Sequence, residues 1–143
     1  MTKSDAEEVV PEILKKFMRE MNQWECEFFD ERKDNLNKGA DSLELKETYA
    51  SRLERILDAY ALKDKSNYGR LIDLGCTRPA TYDPETDEVE LVSHSDGVMV
   101  VQVQQMKGAE VCSRFYLVAK GADWKIKKRE MLSFDEKWRR VPL

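Results

Sequence analysis

The stretch VVPEILKKFMREMNQWECEFF (residues 9–29) repeats apolar residues every three to four positions. This spacing is typical of an amphipathic α-helix that buries one stripe, with polar side chains such as Glu25 filling much of the other side. Proline is tolerated only in the first turn of a helix, so we expect the helix to begin close to Pro11. It should extend to about Arg32, and the residues from 35 to 39 should end it.

A second helix is predicted after Asp41 or Ser42, either of which can serve as its N-cap. Its apolar stripe consists of Leu45, Tyr49, Leu53, Ile56, Leu57 and Tyr60. Beyond residue 70 the apolar period changes from three or four to two, which indicates β-strands. Helices followed by strands are typical of one compact α+β unit.

The second half of the chain reads as a meander of antiparallel strands with one face against the helices. The run VMVVQV (98–103) is the most strand-prone segment. We predict a hairpin in which residues 77–82 and 88–92 flank a charged turn at 83–87. Residues 133–136, SFDE, are typical of a capping box before a short terminal turn that carries Trp138.

The length of 143 residues favours one domain, 1–143. We assign its helical part to about residues 9–62 and its sheet part to about 70–132, followed by a short C-terminal tail. The residues expected in the core are Trp24, Phe28, Val101, Phe115 and Ile126. Other aromatic side chains at helix and strand spacing (Phe29, Tyr49, Tyr60, Tyr116 and Trp124) are also interpreted as core rather than as the lining of a ligand cavity.

The charge of the chain favours a protein partner over nucleic acid. The net charge is −4, although residues 121–143 by themselves carry +3. An acidic body with a short basic end lacks the continuous basic surface that phosphate binding needs, and it suits a basic protein. No apolar run is long enough for a membrane span, and the first eight residues do not form a secretory signal, so we expect a cytosolic protein without membrane association.

The residue types that support catalysis or metal binding are sparse. Cys26, Cys76 and Cys112 are widely spaced, which argues against a disulfide framework or a zinc site and favours small buried side chains. His94 is the only histidine, and its serine and aspartate neighbours in SHSDG do not make a triad, because triads assemble from distant segments. Cys76 has no obvious base to activate it. We therefore expect no cofactor, no metal and no enzymatic activity.

The charged turn has the one-three-five spacing of a calcium loop in Asp83, Glu85 and Asp87. The sixth position is Glu88 where that loop needs glycine, and the twelfth is His94 where it needs glutamate, so a calcium site is rejected. An exposed charged hairpin tip remains, and such a tip can contact a partner. The candidate partner-binding residues are Asp83, Glu85, Asp87 and Glu88.

Short motifs of the chain resemble a known superfamily. The run RFYLV (114–118), followed after a turn by Trp124-Lys125-Ile126, is similar to the last two strands of the nuclear transport factor 2-like fold. Phe17-Met18 and Trp24-Glu25 in the first helix resemble the immunity proteins of bacterial polymorphic (Rhs-type) toxin systems, and the segment CTRP (76–79) adds to this likeness. The resemblance spans roughly residues 9–132.

This resemblance implies a cone in which N-terminal helices pack on a curved antiparallel sheet. It also implies an immunity protein that binds and neutralises a cognate toxin in the cytosol. Two alternatives stay open, since a fold does not establish a function. One is a small-molecule-binding or isomerase/dehydratase-like enzyme that uses the cone pocket, and the other is a dimeric scaffold, because exposed sheet faces in this superfamily commonly pair.

Overall fold

The structure, a computed structural model, describes residues 10–39 and 42–143. Within these ranges two α-helices precede a five-stranded antiparallel sheet. The elements are α1 (Glu12–Asn37), α2 (Leu43–Tyr60), a short 3₁₀ turn (Gly69–Leu71), β1 (Glu88–Ser95), β2 (Val98–Gln104), β3 (Cys112–Lys120), β4 (Asp123–Leu132) and β5 (Trp138–Val141). This arrangement confirms the predicted α+β class, with N-terminal helices and an antiparallel sheet.

The helix limits follow local signals in the sequence. Helix α1 begins directly after Pro11 and ends at Asn37, where Gly39 adopts a left-handed φ of 77°. Ser42 caps α2 by accepting the backbone N–H of Leu45 at 3.1 Å. The alternative cap, Asp41, lies outside the described residues, as do the first eight residues on which the prediction about a secretory signal rests.

The strands form a simple meander in the order β1-β2-β3-β4-β5. The alternation predicted an antiparallel meander, but it did not predict β5. Each strand pairs with the next, so β1 and β5 are the two edges of the sheet. Asp96 and Gly97, with φ of 52° and 75°, make the tight turn between β1 and β2. Because every connection is short, each strand lies beside its neighbour in sequence.

A register shift in β4 changes which side chains face the helices. The pairing with β3 slips between Ile126 and Lys128, so that Ile126 and Arg129 both lie opposite inward-facing residues. Lys128, which strict alternation from Ile126 would turn inward, lies opposite an outward-facing residue instead. The carbonyl of Lys127 at this bulge accepts a hydrogen bond from the buried side chain of Asn67 at 2.9 Å. The bulge therefore aims Arg129 into the protein.

The core lies between the two helices and one face of the sheet. Its principal buried side chains are Leu14, Phe17, Met18, Met21, Trp24, Phe28, Tyr49, Leu53, Leu57, Tyr82, Met99, Val101, Phe115, Leu117 and Ile126. All five residues expected in the core are among them. The rings of Phe17, Tyr82 and Phe115 contact one another, with centroids 5.4 to 6.2 Å apart, and fill the space under the sheet.

The sheet begins later in the chain than predicted. The expected sheet part started near residue 70, but residues 77–82 form no strand and the predicted hairpin around 83–87 is wrong. The backbone N–H groups of Thr77 and Thr81 bind the carboxylate of Glu25, and Pro79 has no N–H to offer. Since these donors are used by a helix side chain, the segment cannot form a strand ladder.

The predicted tail is a strand, and the capping-box interpretation of residues 133–136 is wrong. The Ser133 hydroxyl donates to the carbonyl of Lys137 at 2.8 Å, and the Ser133 N–H donates to the same carbonyl at 2.9 Å. These bonds close a turn instead of capping a helix. Trp138 then lies in β5, opposite Leu132 of β4, so the sheet extends to Val141. No helix in the described ranges is long and apolar enough to cross a membrane.

Substitution of Trp24 tests the packing of the two helices against the sheet. It is fully buried, and its indole N–H donates to the carbonyl of Tyr49 at 2.8 Å, which joins α1 to α2. We predict that Trp24→Ala lowers the free energy of unfolding by about 3–5 kcal/mol in urea denaturation. Lys16→Ala, on the exposed side of the same helix, should change it by less than about 0.5 kcal/mol. Equal effects of the two substitutions would contradict the packing scheme.

Candidate functional site

The acidic turn expected to meet a partner is partly closed on itself. Asp87 accepts the backbone N–H of Asp83 at 2.9 Å through Oδ2, and its own N–H donates to the carbonyl of Asp83 at 2.8 Å. The N–H of Glu85 donates to Asp83 Oδ1 at 3.1 Å. Asp87 is only 9% exposed, and burial raises the pKa of its carboxyl. Asp83 and Asp87 therefore hold the shape of the turn.

Glu85 and Glu88 are the two predicted residues that remain exposed there. Glu90 is also exposed, two positions along β1 from Glu88, while Val89 and Leu91 pack against the core. We define Glu85, Glu88 and Glu90 as the acidic patch. It runs along β1, an edge strand. The exposed acidic surface thus differs from the four residues predicted, because two of those carboxylates are engaged within the turn.

A buried carboxylate lies at the centre of the molecule and was not expected there. Glu25 was assigned to the polar side of α1, but it is fully buried. Its Oε2 accepts the N–H of Thr77 at 2.7 Å and contacts Nη2 of Arg70 at 2.9 Å, and its Oε1 accepts the N–H of Thr81 at 2.8 Å. The Arg70 guanidinium also lies over the ring of Trp24, 5.1 Å from its centroid.

These contacts keep Glu25 ionised. Burial by itself would raise the pKa of Glu25, but the charge of Arg70 and the backbone N–H groups of Thr81 and Thr77 outweigh burial and lower it. A general acid inside a cone pocket would need the opposite, a carboxyl whose pKa is raised and whose oxygen is open to a substrate. Glu25 has both oxygens occupied, so its contacts suit stabilisation of the fold rather than proton transfer.

A pocket of about 400 Å³ opens beside this cluster. We call it the mouth pocket. It is lined by the half-buried Arg70 and the buried Arg129, together with Thr77, Thr81 and the exposed Asp73. The guanidinium of Arg129 lies over the ring of Tyr82, which belongs to the ring cluster of the core.

Of the other side chains considered for chemistry, Cys76 lines the mouth pocket, whereas His94 lies on β1. His94 is exposed near the end of β1, and its ring packs edge-on against Trp124 at 5.6 Å. Cys26, Cys76 and Cys112 are free thiols, and each is half-buried rather than fully buried. Burial raises the pKa of the Cys76 thiol, which disfavours the thiolate that a nucleophile requires. Within residues 10–39 and 42–143, no three metal-ligating side chains come together.

Some of the residues that the sequence interpretation missed could have been predicted from the sequence pattern, and one could not. Glu25 lies four positions after Met21 and seven after Met18, so the apolar stripe itself places position 25 inside. Glu90 follows Glu88 by two positions, which is the period of a strand, so the sequence also indicated that the two lie on the same face. Arg129 carries no such signal, because only the bulge in β4 turns it inward.

Comparison with known proteins identifies the family. The profile of a family described as NTF2 fold immunity protein matches residues 9–141. The chain belongs to this family. It is also 32% identical over 127 residues to the immunity protein RhsIA of Dickeya dadantii (strain 3937), and that alignment covers 88% of this chain and 90% of RhsIA. No solved structure gives a significant match. The family membership confirms the resemblance found in the sequence.

The contacts of Glu25 predict how stability depends on pH. The ordinary pKa of this carboxyl is 4.5, and folding lowers it. The contribution of ionised Glu25 to the stability of the fold is therefore fully present above about pH 4.5. It is lost as the pH falls through the lower pKa that Glu25 has in the folded state. At pH 7, Glu25→Gln should lower the free energy of unfolding by about 3–5 kcal/mol, because it leaves Arg70 without its counter-charge. Below the folded-state pKa the two proteins should become similar in stability.

A matched control is available on the same helix. Glu27 forms an ion pair with Arg52 at 2.9 Å, but its side chain is 44% exposed. Glu27→Gln should cost no more than about 1 kcal/mol at pH 7. Chemical denaturation of the wild type and both variants at several pH values measures these differences. A difference between wild type and Glu25→Gln that stays constant down to strongly acidic pH would contradict the assignment.

Proposed function

We propose that this protein neutralises a cognate polymorphic toxin by binding it in the cytosol. The observation that carries the proposal is the match to an immunity family over residues 9–141, together with the similarity to RhsIA along most of both chains. An inhibitor of this kind needs a stable scaffold and a complementary surface, and it needs no chemistry of its own. We accordingly propose that it is not an enzyme and uses no cofactor.

The contacts inside the protein support a binding role over the cone-pocket enzyme. That alternative needs an open cavity with a reactive carboxyl at its end. The buried carboxyl of this chain, Glu25, is held in its ionised form by Arg70 and two backbone donors. The aromatic rings of the core occupy the space in which a hydrophobic substrate would lie. Both features favour a rigid body that acts through its outer surface.

The charge of the protein supports a basic partner. With a net charge of −4 and exposed carboxylates along β1, the surface would attract a basic toxin domain and accelerate the encounter, most strongly at low salt. We propose the acidic patch, Glu85, Glu88 and Glu90, as the contact surface. It refines the predicted set of Asp83, Glu85, Asp87 and Glu88 by separating exposed carboxylates from those that hold the turn. A homodimer remains a prediction, and light scattering would measure the oligomeric state directly.

Co-expression tests the function. The protein should be produced in bacterial cells together with the C-terminal domain of its cognate toxin, which is to be sought in the gene immediately upstream. We expect growth to be restored and the two proteins to elute together in size-exclusion chromatography. A toxin domain from an unrelated system serves as the control and should not be neutralised. Loss of growth with the cognate pair, or the absence of a complex on mixing, would refute the proposal.

Charge reversal tests the contact surface separately. We predict that Glu85→Lys combined with Glu88→Lys slows association with the toxin by about tenfold or more at low salt, and by less at high salt. Both side chains are exposed, so the free energy of unfolding should change by less than about 0.5 kcal/mol. Stopped-flow or surface plasmon resonance measurements at two salt concentrations give the rates.

The chain offers a control with the same change in net charge. Glu47 and Glu54 are exposed on α2, away from β1. Glu47→Lys combined with Glu54→Lys should reduce the association rate much less, because these residues lie on a different surface. Equal effects of the two double variants would show that only the total charge matters, and the acidic patch would be discarded while the immunity function would stand.

A further inference from the structure

Arg129 is a buried cation without a counter-charge. It is 7% exposed, and no carboxylate of the described residues lies within 4 Å of its guanidinium. Its Nε donates to Ser113 Oγ at 3.1 Å and its Nη1 donates to the carbonyl of Pro142 at 3.1 Å. Buried charges are normally paired, because removal from water costs several kcal/mol for an ion that nothing neutralises. The two neutral acceptors orient Arg129 but leave its charge uncompensated.

Arg129 lines the mouth pocket, and Nη2 of its guanidinium has no hydrogen-bond partner among the described residues. The face of the guanidinium lies over the buried ring of Tyr82, 5.4 Å from its centroid. The side chain is thus fixed by two hydrogen bonds and by the ring, with one donor nitrogen left for a ligand. Because this donor is already held in place, less conformational entropy is lost when a ligand binds.

A second donor lies in the wall of the same pocket. The Thr81 hydroxyl oxygen accepts a hydrogen bond from Nη2 of Arg70 at 3.3 Å, and its own hydrogen has no acceptor among the described residues. Arg70 is neutralised by Glu25, so it adds little net charge to the pocket. The exposed Asp73 at the rim is screened by water. Among the side chains of the wall, Arg129 therefore supplies a positive charge that no other described side chain neutralises.

We propose that the mouth pocket binds a carboxylate, with one oxygen on Nη2 of Arg129 and the other on the hydroxyl of Thr81. The positive charge of Arg129, which no described side chain neutralises, suits the negative charge of a carboxylate, and charge-assisted hydrogen bonds from a guanidinium are among the stronger ones in proteins. The volume of about 400 Å³ accommodates a small organic acid or an acidic side chain of a bound protein. The site is independent of the acidic patch and of the proposed immunity function.

The first experiment uses the protein alone. The ¹⁵N-labelled wild type is titrated with sodium acetate at neutral pH, with sodium chloride replaced so that ionic strength stays constant. We expect saturable shifts of the Arg129 Nε–H signal and of the Thr77 and Thr81 amides. A parallel titration with sodium phosphate should give weaker binding, because removing a doubly charged anion from water costs more than the charge of Arg129 returns. The absence of saturable shifts at these three residues with acetate would overturn the proposal, as would tighter binding of phosphate.

Two substitutions separate the site from general charge effects. Arg129→Gln should weaken acetate binding by about tenfold or more, since it removes a charge-assisted hydrogen bond. Arg114→Gln is the matched control, because Arg114 also lies over an aromatic ring, that of Trp138 at 4.3 Å, but on the outer face of the sheet. It should bind acetate as the wild type does. Unchanged binding by a folded Arg129→Gln would overturn the proposal. If that variant does not fold, the wild-type titration decides by itself.

A final arm identifies the source of the carboxylate. The acetate titration is repeated on the complex with the cognate toxin domain. Loss of the acetate response shows that the toxin places its own acidic group in the mouth pocket. A response that persists shows that the site serves a free small carboxylate. Failure to form the complex would refute the proposed function but would leave the result of the first titration intact.

Discussion

The fold depends on the ion pair between Glu25 and Arg70 inside the protein. A carboxylate in the middle of an apolar helix stripe is unfavourable unless its charge and its lone pairs are all engaged. Arg70 supplies the charge, and the backbone N–H groups of Thr77 and Thr81 supply the remaining donors. The same carboxylate thereby anchors the long irregular segment between α2 and β1, which forms no strand and pairs with the sheet through a bridge between Ala61 and Ile126 of β4.

This anchoring shapes the surface as well as the interior. With the segment after Arg70 held against α1, the sheet is left with β1 as a free edge, and exposed carboxylates lie along it. The segment also forms one wall of the mouth pocket, opposite Arg129 of β4. The segment that Glu25 holds thus lies between two surfaces that we propose to differ in sign. The acidic patch suits a basic protein, and the pocket suits an acidic group.

Membership of an immunity family fits a molecule built in this way. A rigid core of packed rings and satisfied buried charges keeps the outer surface in one conformation, which reduces the entropy lost when a partner binds. Function then resides in surface side chains that the fold does not need. Glu85 and Glu88 have that character, whereas Asp83 and Asp87 in the same turn are used to hold the backbone.

The sequence by itself determined the two helices, the core stripe and the order of the meander, because these depend on local periodicity and on turn residues such as Asp96 and Gly97. It also indicated the family. Only the tertiary structure decided that residues 77–82 bind a helix carboxylate instead of a strand, and that a bulge turns Arg129 inward. The first depends on contacts between residues more than about fifty positions apart in sequence, and the second on a one-residue change of register. Neither leaves a local pattern in the sequence.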